Sequence, residues 1–355
     1  MANKRKLNRR QQWRIDKISH ERVKRANSTS VQLDNFYTAS DGEAERQGLV
    51  IQHYGKTLNV EDKETGSIHR CTIRQNLGSI VCGDKVVWQK IHVKDSNKTE
   101  LNNNSGAIFE GVVLAIMERD SLLARPDPYG KKKSIAANID QILIITSPVP
   151  QLNKRLIDRY LVAAEVNHIP PIIVLNKIDL LADIDLDVIK KNLDIYHQLG
   201  YPVIYTSINL SNGLQNLKQT LANKNSILVG QSGVGKSSLV NILLPEAQAR
   251  IGEVSDATGK GKHTTSAAML YHLEQSGIAG GCLIDSPGIR EFGLWDISKE
   301  EVEYGFKEIH QYSDKCRFRN CKHINEPQCA ILEAIDNNKI TTERFESYRQ
   351  IIDSL

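Results

Sequence analysis

No stretch of this chain is apolar for long enough to cross a bilayer. Hydrophobic runs such as Ile142 to Ile145 and Ile169 to Leu175 fall far short of the roughly 20 residues that a span requires. Cysteine is sparse as well. Cys71, Cys82, Cys282, Cys316, Cys321 and Cys329 fall as three scattered residues and one tight C-terminal group, a poor pattern for a secreted disulfide framework. The basic N-terminus lacks the apolar core of a secretory signal, so a cytoplasmic protein away from membranes is expected. Nor is there a large excess of one charge. A formal net charge of +4 permits a polyanionic partner without demanding one. What is present, 355 residues with 40% hydrophobic and 25% charged, suits a globular protein with a sizeable core and, at ~150 residues per domain, two or three domains.

Texture divides the chain into four parts. Residues 1–47 begin with a basic arm, MANKRKLNRRQQWRIDKISHERVKRA, whose only acids are Asp16 and Glu21. Like charges at that density oppose compaction, so a flexible arm is expected, either ordering on an anionic surface or serving as a solubilising tail. Residues 48–118 hold short alternating stretches (LVIQHYGKTLNV, HRCTIR, DKVVWQKIHV, IFEGVVLAIM) split by polar turns. About five strands in this length fit an OB-like β-barrel, a fold that often binds nucleic acid; an SH3-like or purely structural module would leave the same pattern. Across residues 119–298, apolar runs such as DQILIITS, PPIIVLNK, PVIYTS, SILVG and GCLIDSPG alternate with helical stretches. That is an α/β domain with a mostly parallel sheet. Residues 299–355 read as helices around a Cys/His group.

The segment GQSGVGKS, Gly230 to Ser237, follows the strand-like SILV and precedes SSLVNILL, which is the setting a phosphate-binding loop requires. Gly230, Gly233 and Gly235 allow backbone conformations and close approach that a Cβ would hinder. Consecutive N–H groups from Gly230, Gln231, Ser232, Gly233, Val234 and Gly235 into Ser238 can then face nucleotide phosphates at a helix N-terminus. Lys236 can set its cation on the β and γ phosphates, and Ser237 can offer a hydroxyl to Mg²⁺.

A phosphate loop does not separate ATP from GTP, but Asn176-Lys177-Ile178-Asp179 ends the buried-strand run IIVL and matches NKxD, the guanine-specificity motif of GTPases. The Asp179 carboxylate can accept from both N1–H and the exocyclic amine of guanine. Adenine offers the wrong donors and would leave that charge unpaired. Asn176 would contact N7 and brace the phosphate loop, and the Lys177 stem would cover the base. Thr206 and Ser207, after the run PVIY, resemble the loop whose backbone amide meets guanine O6.

The order of these elements is unusual. NKxD and Thr206-Ser207 precede the phosphate loop, while the switch-like GKGKHTT (Gly259 to Thr265) and DSPG (Asp285 to Gly288) follow it. That is a circular permutation of a small GTPase, which the proximity of domain termini makes undemanding. With a barrel before it and a Cys/His segment after it, the chain resembles the circularly permuted GTPases of the RsgA family, bacterial factors of late small-subunit maturation. NKID, GQSGVGKSS, GKHTTS, DSPGIREFG and the Cys/His spacing carry the resemblance from Gly48 to Leu355. It implies GTP hydrolysis to GDP stimulated by the small ribosomal subunit, rRNA contacts from the barrel and the zinc-bearing segment, and release after hydrolysis. A monomer is expected.

Where a Ras-like enzyme carries a water-orienting Gln after DxxG, this chain has Ile289, which has no polar atom for the task. The resembling family points instead to a switch I histidine, here His263, whose imidazole is largely neutral near pH 7. Thr264 or Thr265 is expected at Mg²⁺ and the γ-phosphate, Asp285 in the outer shell of the metal, and the Gly288 N–H at the γ-phosphate. Cys316, Cys321, His323 and Cys329 offer three thiolates and an imidazole within a short segment, a closed set that suits one structural Zn²⁺. Two other functions fit the motifs: a regulatory GTPase with protein targets, and a nucleotide-binding protein with little catalysis.

Overall fold

The computed structural model describes residues 44–54, 57–74, 77–91, 109–126, 132–183, 186–244, 268–285 and 297–355; the basic arm from Met1 to Ala26 lies outside them. The described residues group into two compact units. One draws on 1–120, 136–138 and 267–270, the other on 121–135, 139–266 and 271–355.

In the first unit, β1 (Arg46–Tyr54), β2 (Thr57–Asp62), β3 (Ile68–Ile73), β4 (Lys85–Lys90) and β5 (Gly111–Ile116) pair in the order β1-β2-β3-β5-β4, and β4 returns to β1. The ring is closed, with β3 and β5 parallel and every other pair antiparallel. This is the OB-like barrel expected from the alternating stretches. LVIQHYGKTLNV, which reads as one stretch, is a hairpin of two strands. Strict alternation of burial holds in β2, while in β1 a register shift between Val50 and Gln52 accompanies three successive buried residues, Val50, Ile51 and Gln52. The interior is built on Trp88, with Val50, Leu58, Val60, Cys71, Val86 and Val113 around it. Gly111 makes room for it, because a Cβ there would sit 2.8 Å from the indole and 2.9 Å from Cys71 Sγ. Burial pushes the Cys71 thiol up to about 12, so it behaves as an inert core residue.

β6 (Leu122–Pro126) and β7 (Lys132–Ala137), which lie in the second unit except for the last two residues of β7, form a two-stranded sheet that the alternation did not announce. The strand β12 (Met269–His272) begins in the first unit, where Met269 faces Gln52 of β1. The main sheet is parallel: β8 (Gln141–Thr146), β9 (Pro171–Leu175), β10 (Val203–Tyr205), β11 (Asn225–Val229) and β13 (Cys282–Asp285) lie in the order β10-β9-β8-β11-β13. All six residues of β8 are buried, as a strand covered on both faces requires. Helices α1 (Lys154–Val166), α2 (Leu186–Gln198), α3 (Gln215–Leu221) and α4 (Lys236–Leu243) connect the strands. Leu217 and Leu221 of α3 and Leu239 and Leu243 of α4 close a core with Leu143, Leu228 and Leu283 from the sheet, each buried Leu contributing about 1.5–3 kcal/mol. From β8 the chain winds outward to β9 and β10, then returns to lay β11 on the opposite side of β8. The order therefore reverses between β8 and β11, where ligands of open α/β sheets bind outside the carboxyl ends of the strands.

The last helices, α5 (Lys299–Gly305), α6 (Lys307–Ser313), α7 (Ala330–Asp336) and α8 (Thr342–Asp353), belong to this second unit. Ser298 and Glu301 form a capping box that starts α5. Gly305 ends it against Val162 of α1, where a Cβ would fall 2.7 Å from Cγ1. Buried Arg344 of α8 donates from Nη1 to Asp158 Oδ1 of α1 at 2.5 Å and from Nε to Glu308 Oε1 of α6 at 2.6 Å. The Tyr196 hydroxyl of α2 donates to the same Asp158 oxygen at 2.8 Å, and Phe306 lies 4.3 Å beneath the guanidinium. One arginine thus ties four helices together.

Candidate active site and metal centre

The described nucleotide motifs emerge at the carboxyl ends of parallel strands: Asn176 after β9, Thr206 after β10, Gly230 after β11, and Asp285 as the last residue of β13. The loop after β11 winds through positive φ at Gly230, Gly233 and Gly235, with Gly235 as the left-handed N-cap of α4. A Cβ at Gly230 would fall inside contact distance of the Ile145 carbonyl oxygen, and one at Gly235 would collide with Asn176 Nδ2. Glycine is therefore required there by close approach as well as by φ.

The two motifs are stitched together. Asn176 Nδ2 donates to the Val234 carbonyl at 2.9 Å, and the Thr206 hydroxyl donates to Asn176 Oδ1 at 3.1 Å. Lys177, at φ 61°, donates from Nζ to the carbonyls of Gly233 at 2.5 Å and Val149 at 3.0 Å. Lys236, the first residue of α4, folds its Nζ back over the phosphate loop and donates to the carbonyls of Gly230 at 2.6 Å and Gln231 at 2.5 Å. Gln231 Nε2 reaches the Gln151 carbonyl at 3.4 Å. The segment after β8, which no motif flagged, thus braces the phosphate loop from the other side.

Asp179 is held from two directions. Ser207 Oγ donates to Oδ1 at 2.5 Å and Asn209 Nδ2 donates to Oδ2 at 2.9 Å, and these bonds, Ser207 first, hold its carboxyl below the usual carboxylate range. His263, Thr264, Thr265, Gly288 and Ile289 lie outside the described residues. Ser232, Ser237 and Ser238 lie in the loop and the first turn of α4.

Between α6 and α7, the ligand atoms of Cys316, Cys321, His323 and Cys329 all lie within 4.8 Å of one another. Cys316 Sγ is 3.9 Å from Cys329 Sγ and 3.7 Å from His323 Nδ1, and His323 Nδ1 is 3.3 Å from Cys329 Sγ. A tetrahedron with Zn–S bonds of ~2.3 Å has edges of about 3.7 Å, which the Cys316, His323 and Cys329 pairs approach, so the set suits zinc after a small contraction of its widest separation. His323 turns Nδ1 to the thiols and Nε2 to the Glu303 carboxylate, 3.8 Å away, the outer partner that a ligating histidine normally has. Burial pushes the Cys316 and Cys321 thiols up, Cys321 to about 12, so deprotonating them there calls for a neighbouring cation. Glu326 accepts backbone bonds from Lys322 at 2.8 Å, Ile324 at 2.7 Å and Asn325 at 3.1 Å, which shapes the turn between the ligands.

Residues 116–295 match the family model described as RsgA GTPase. The chain is 48% identical over 355 residues to the small ribosomal subunit biogenesis GTPase RsgA of Hahella chejuensis, covering 99% of this chain and 97% of that one. This chain belongs to the RsgA GTPase family. It is also 45% identical to the protein of the same name from Ectopseudomonas mendocina, covering 99% of this chain and 98% of that one. Among solved structures, YjeQ from Thermotoga maritima matches with a TM-score of 0.66 and 32% identity over 88% of this chain and 99% of its own. YloQ, described as a circularly permuted GTPase, matches with a TM-score of 0.65 and 28% identity over 90% and 97%. As a family member the chain is a GTP-hydrolysing enzyme, and its motif order is the permuted one. Among the described residues no helix is long and apolar enough to cross a membrane. Asn209, Val149, Glu303 and Glu326 join the sites although sequence reading missed them; Asn209, two residues beyond Ser207, lay closest to a recognisable signal.

Proposed function

We propose that this enzyme acts in biogenesis of the small ribosomal subunit as a cytoplasmic monomer that binds rRNA and hydrolyses GTP when the subunit stimulates it. The observation that carries the reading is the bracing of a guanine-type carboxylate, Asp179, and a phosphate-loop lysine, Lys236, by one hydrogen-bonded lattice at the sheet's switch point. Relatives named for small-subunit biogenesis, similar over nearly the whole chain, supply the context.

Asp179 accepts the two guanine donors, Lys177 covers the base, Asn176 links base and phosphate loops, and Thr206 and Ser207 complete the base-binding edge. Backbone amides from Gly230 to Ser238 cradle the phosphates, and Lys236 neutralises charge building on the γ-phosphoryl group. Ser237 and either Thr264 or Thr265 would hold Mg²⁺, with Asp285 behind it, and the ion would offset charge between the β and γ phosphates. His263 orients the attacking water, and the Gly288 N–H meets the γ-phosphate. Water oxygen bonds to phosphorus as the bond to the β–γ bridging oxygen breaks, leaving GDP and phosphate. Cys316, Cys321, His323 and Cys329 would hold a zinc ion that orders the segment between α6 and α7.

The test is GTP turnover by the purified chain with and without small ribosomal subunits, with ATP and large subunits as controls. Stimulation confined to GTP and the small subunit is expected. Equal rates with either subunit, or with none, would reject the reading.

A further inference from the structure

The base-reading edge contains a residue that belongs to none of the motifs. Asn209 makes two contacts with the pair that presents the guanine acceptor: its backbone N–H donates to Ser207 Oγ at 3.0 Å, and its side-chain Nδ2 donates to Asp179 Oδ2 at 2.9 Å. With its oxygen accepting from Asn209, the Ser207 hydroxyl is left to point its proton at Asp179 Oδ1, 2.5 Å away. Ser207 and Asn209 therefore each place one side-chain donor on a different carboxylate oxygen, and the backbone of Asp179 itself adds a smaller contribution. An ionised carboxylate has about four acceptor sites, so the two side-chain donors leave acceptor capacity on both oxygens. Guanine offers two adjacent donors, N1–H and the exocyclic amine, and a carboxylate with both oxygens still able to accept can meet them.

We infer that Asn209 is a positioning residue for guanine specificity, fixing the rotation of the Asp179 carboxylate so that both of its oxygens face the base. The inference rests on the assignment of Asp179 to guanine in the proposed function. Rotation about the Cβ–carboxyl bond is soft for an aspartate, and a single hydroxyl donor at Oδ1 leaves it free to swing. A second donor at Oδ2, from a residue 30 positions away in the chain, removes that freedom. Asn209 itself is exposed on a loop. Its side chain contributes nothing to the core, so its loss is expected to register in base discrimination and not in folding.

The experiment uses the full-length chain and the variants Asn209→Asp and Asn209→Ala. Asn209→Asp keeps the shape of the side chain while replacing the donor with a like charge. Equilibrium affinities are measured for GDP, for inosine diphosphate, which lacks the exocyclic amine, and for ADP, alongside thermal unfolding. Both variants are expected to keep the parent's unfolding temperature and its weak ADP binding, while the preference for GDP over inosine diphosphate falls roughly tenfold in Asn209→Asp and less in Asn209→Ala, the scale of one charge-assisted hydrogen bond. A parent chain that prefers GDP strongly, with both variants retaining the same preference, would overturn the inference alone. A parent chain that binds GDP no better than ADP would overturn the guanine assignment and the inference together.

Discussion

The edge of the parallel sheet and the Cys/His turn are two places in the second unit where polar side chains crowd together, and they are held by opposite means. At the sheet edge the base-reading residues already have protein partners: Asn176 bonds Val234, Lys177 bonds Gly233, and Ser207 and Asn209 hold Asp179. The framework behind them is an apolar core of strands and helices. In the Cys/His turn, three sulfurs and an imidazole are packed within 4.8 Å with burial working against the thiolate form of Cys316 and Cys321. A lattice of neutral and charge-assisted hydrogen bonds is complete in itself, whereas a cluster of acidic ligands is complete only with a cation. The first site should therefore survive loss of its ligand, and the second should not.

The largest effect is expected where that contrast is sharpest. Cys321→Ser, or chelation of the parent chain, should abolish zinc binding and protection from amide exchange across the turn from Cys316 to Cys329, since metal binding in such sites is worth about 10–16 kcal/mol and is folding free energy. GDP affinity should remain. Loss of GDP binding on chelation would show that the two regions are one cooperative element.

Next is the anchor that joins the Cys/His segment to the α/β part. Arg344→Ala leaves Asp158 and Glu308 facing each other's surroundings as uncompensated buried charges, a change expected to cost about 3–5 kcal/mol in urea unfolding. A cost under ~1 kcal/mol would mean that the pair already sits in water-like surroundings, as exposed ion pairs do. A double variant, Arg344→Leu with Asp158→Leu, should recover part of the loss, since removing both charges is milder than orphaning one.

At the sheet edge, Lys236→Ala should lower subunit-stimulated turnover by on the order of 10²–10³-fold, the usual consequence of losing one group aimed at developing charge. Unfolding should change little, because the bonds that Lys236 makes to Gly230 and Gln231 are replaceable by solvent. His263→Ala should keep GTP affinity and lose most turnover; unchanged stimulated turnover would reject its role in holding water.

The two regions were also unequally legible. NKID and GQSGVGKS could be read because each packs its chemistry into a few consecutive residues, and because β9 before the first and the Ile227–Val229 end of β11 before the second are apolar. The five barrel strands showed through alternation, although the bulge in β1 and the hairpin within LVIQHYGKTLNV did not, since neither changes composition. The Cys/His group that gathers in the turn was visible in its spacing. Their outer partner Glu303 was not, because a glutamate on a helix is ordinarily solvent-facing. The same applies to Arg344, Asp158 and Glu308: three charged residues 186, 36 and 150 positions apart in various pairings reveal their burial only when four helices meet.

The smallest expected effect concerns pH at the sheet edge. Ser207 and Asn209, in that order, favour the ionised form of Asp179 and lower its pKa. A lowered pKa means that the contribution of the ionised group is complete above the ordinary aspartate range and disappears only as pH falls through the lower, folded value. Since protonated Asp179 can no longer accept from both guanine donors, GDP affinity should stay level from neutral pH down into the mildly acidic range. Asn209→Ala removes one of the two bonds, so its GDP affinity should begin to fall at a higher pH than the parent's. Calorimetric titrations across that range measure the difference. Coincident profiles for the parent and Asn209→Ala would show that Ser207, the Asp179 backbone and Lys177 hold the carboxylate ionised without Asn209.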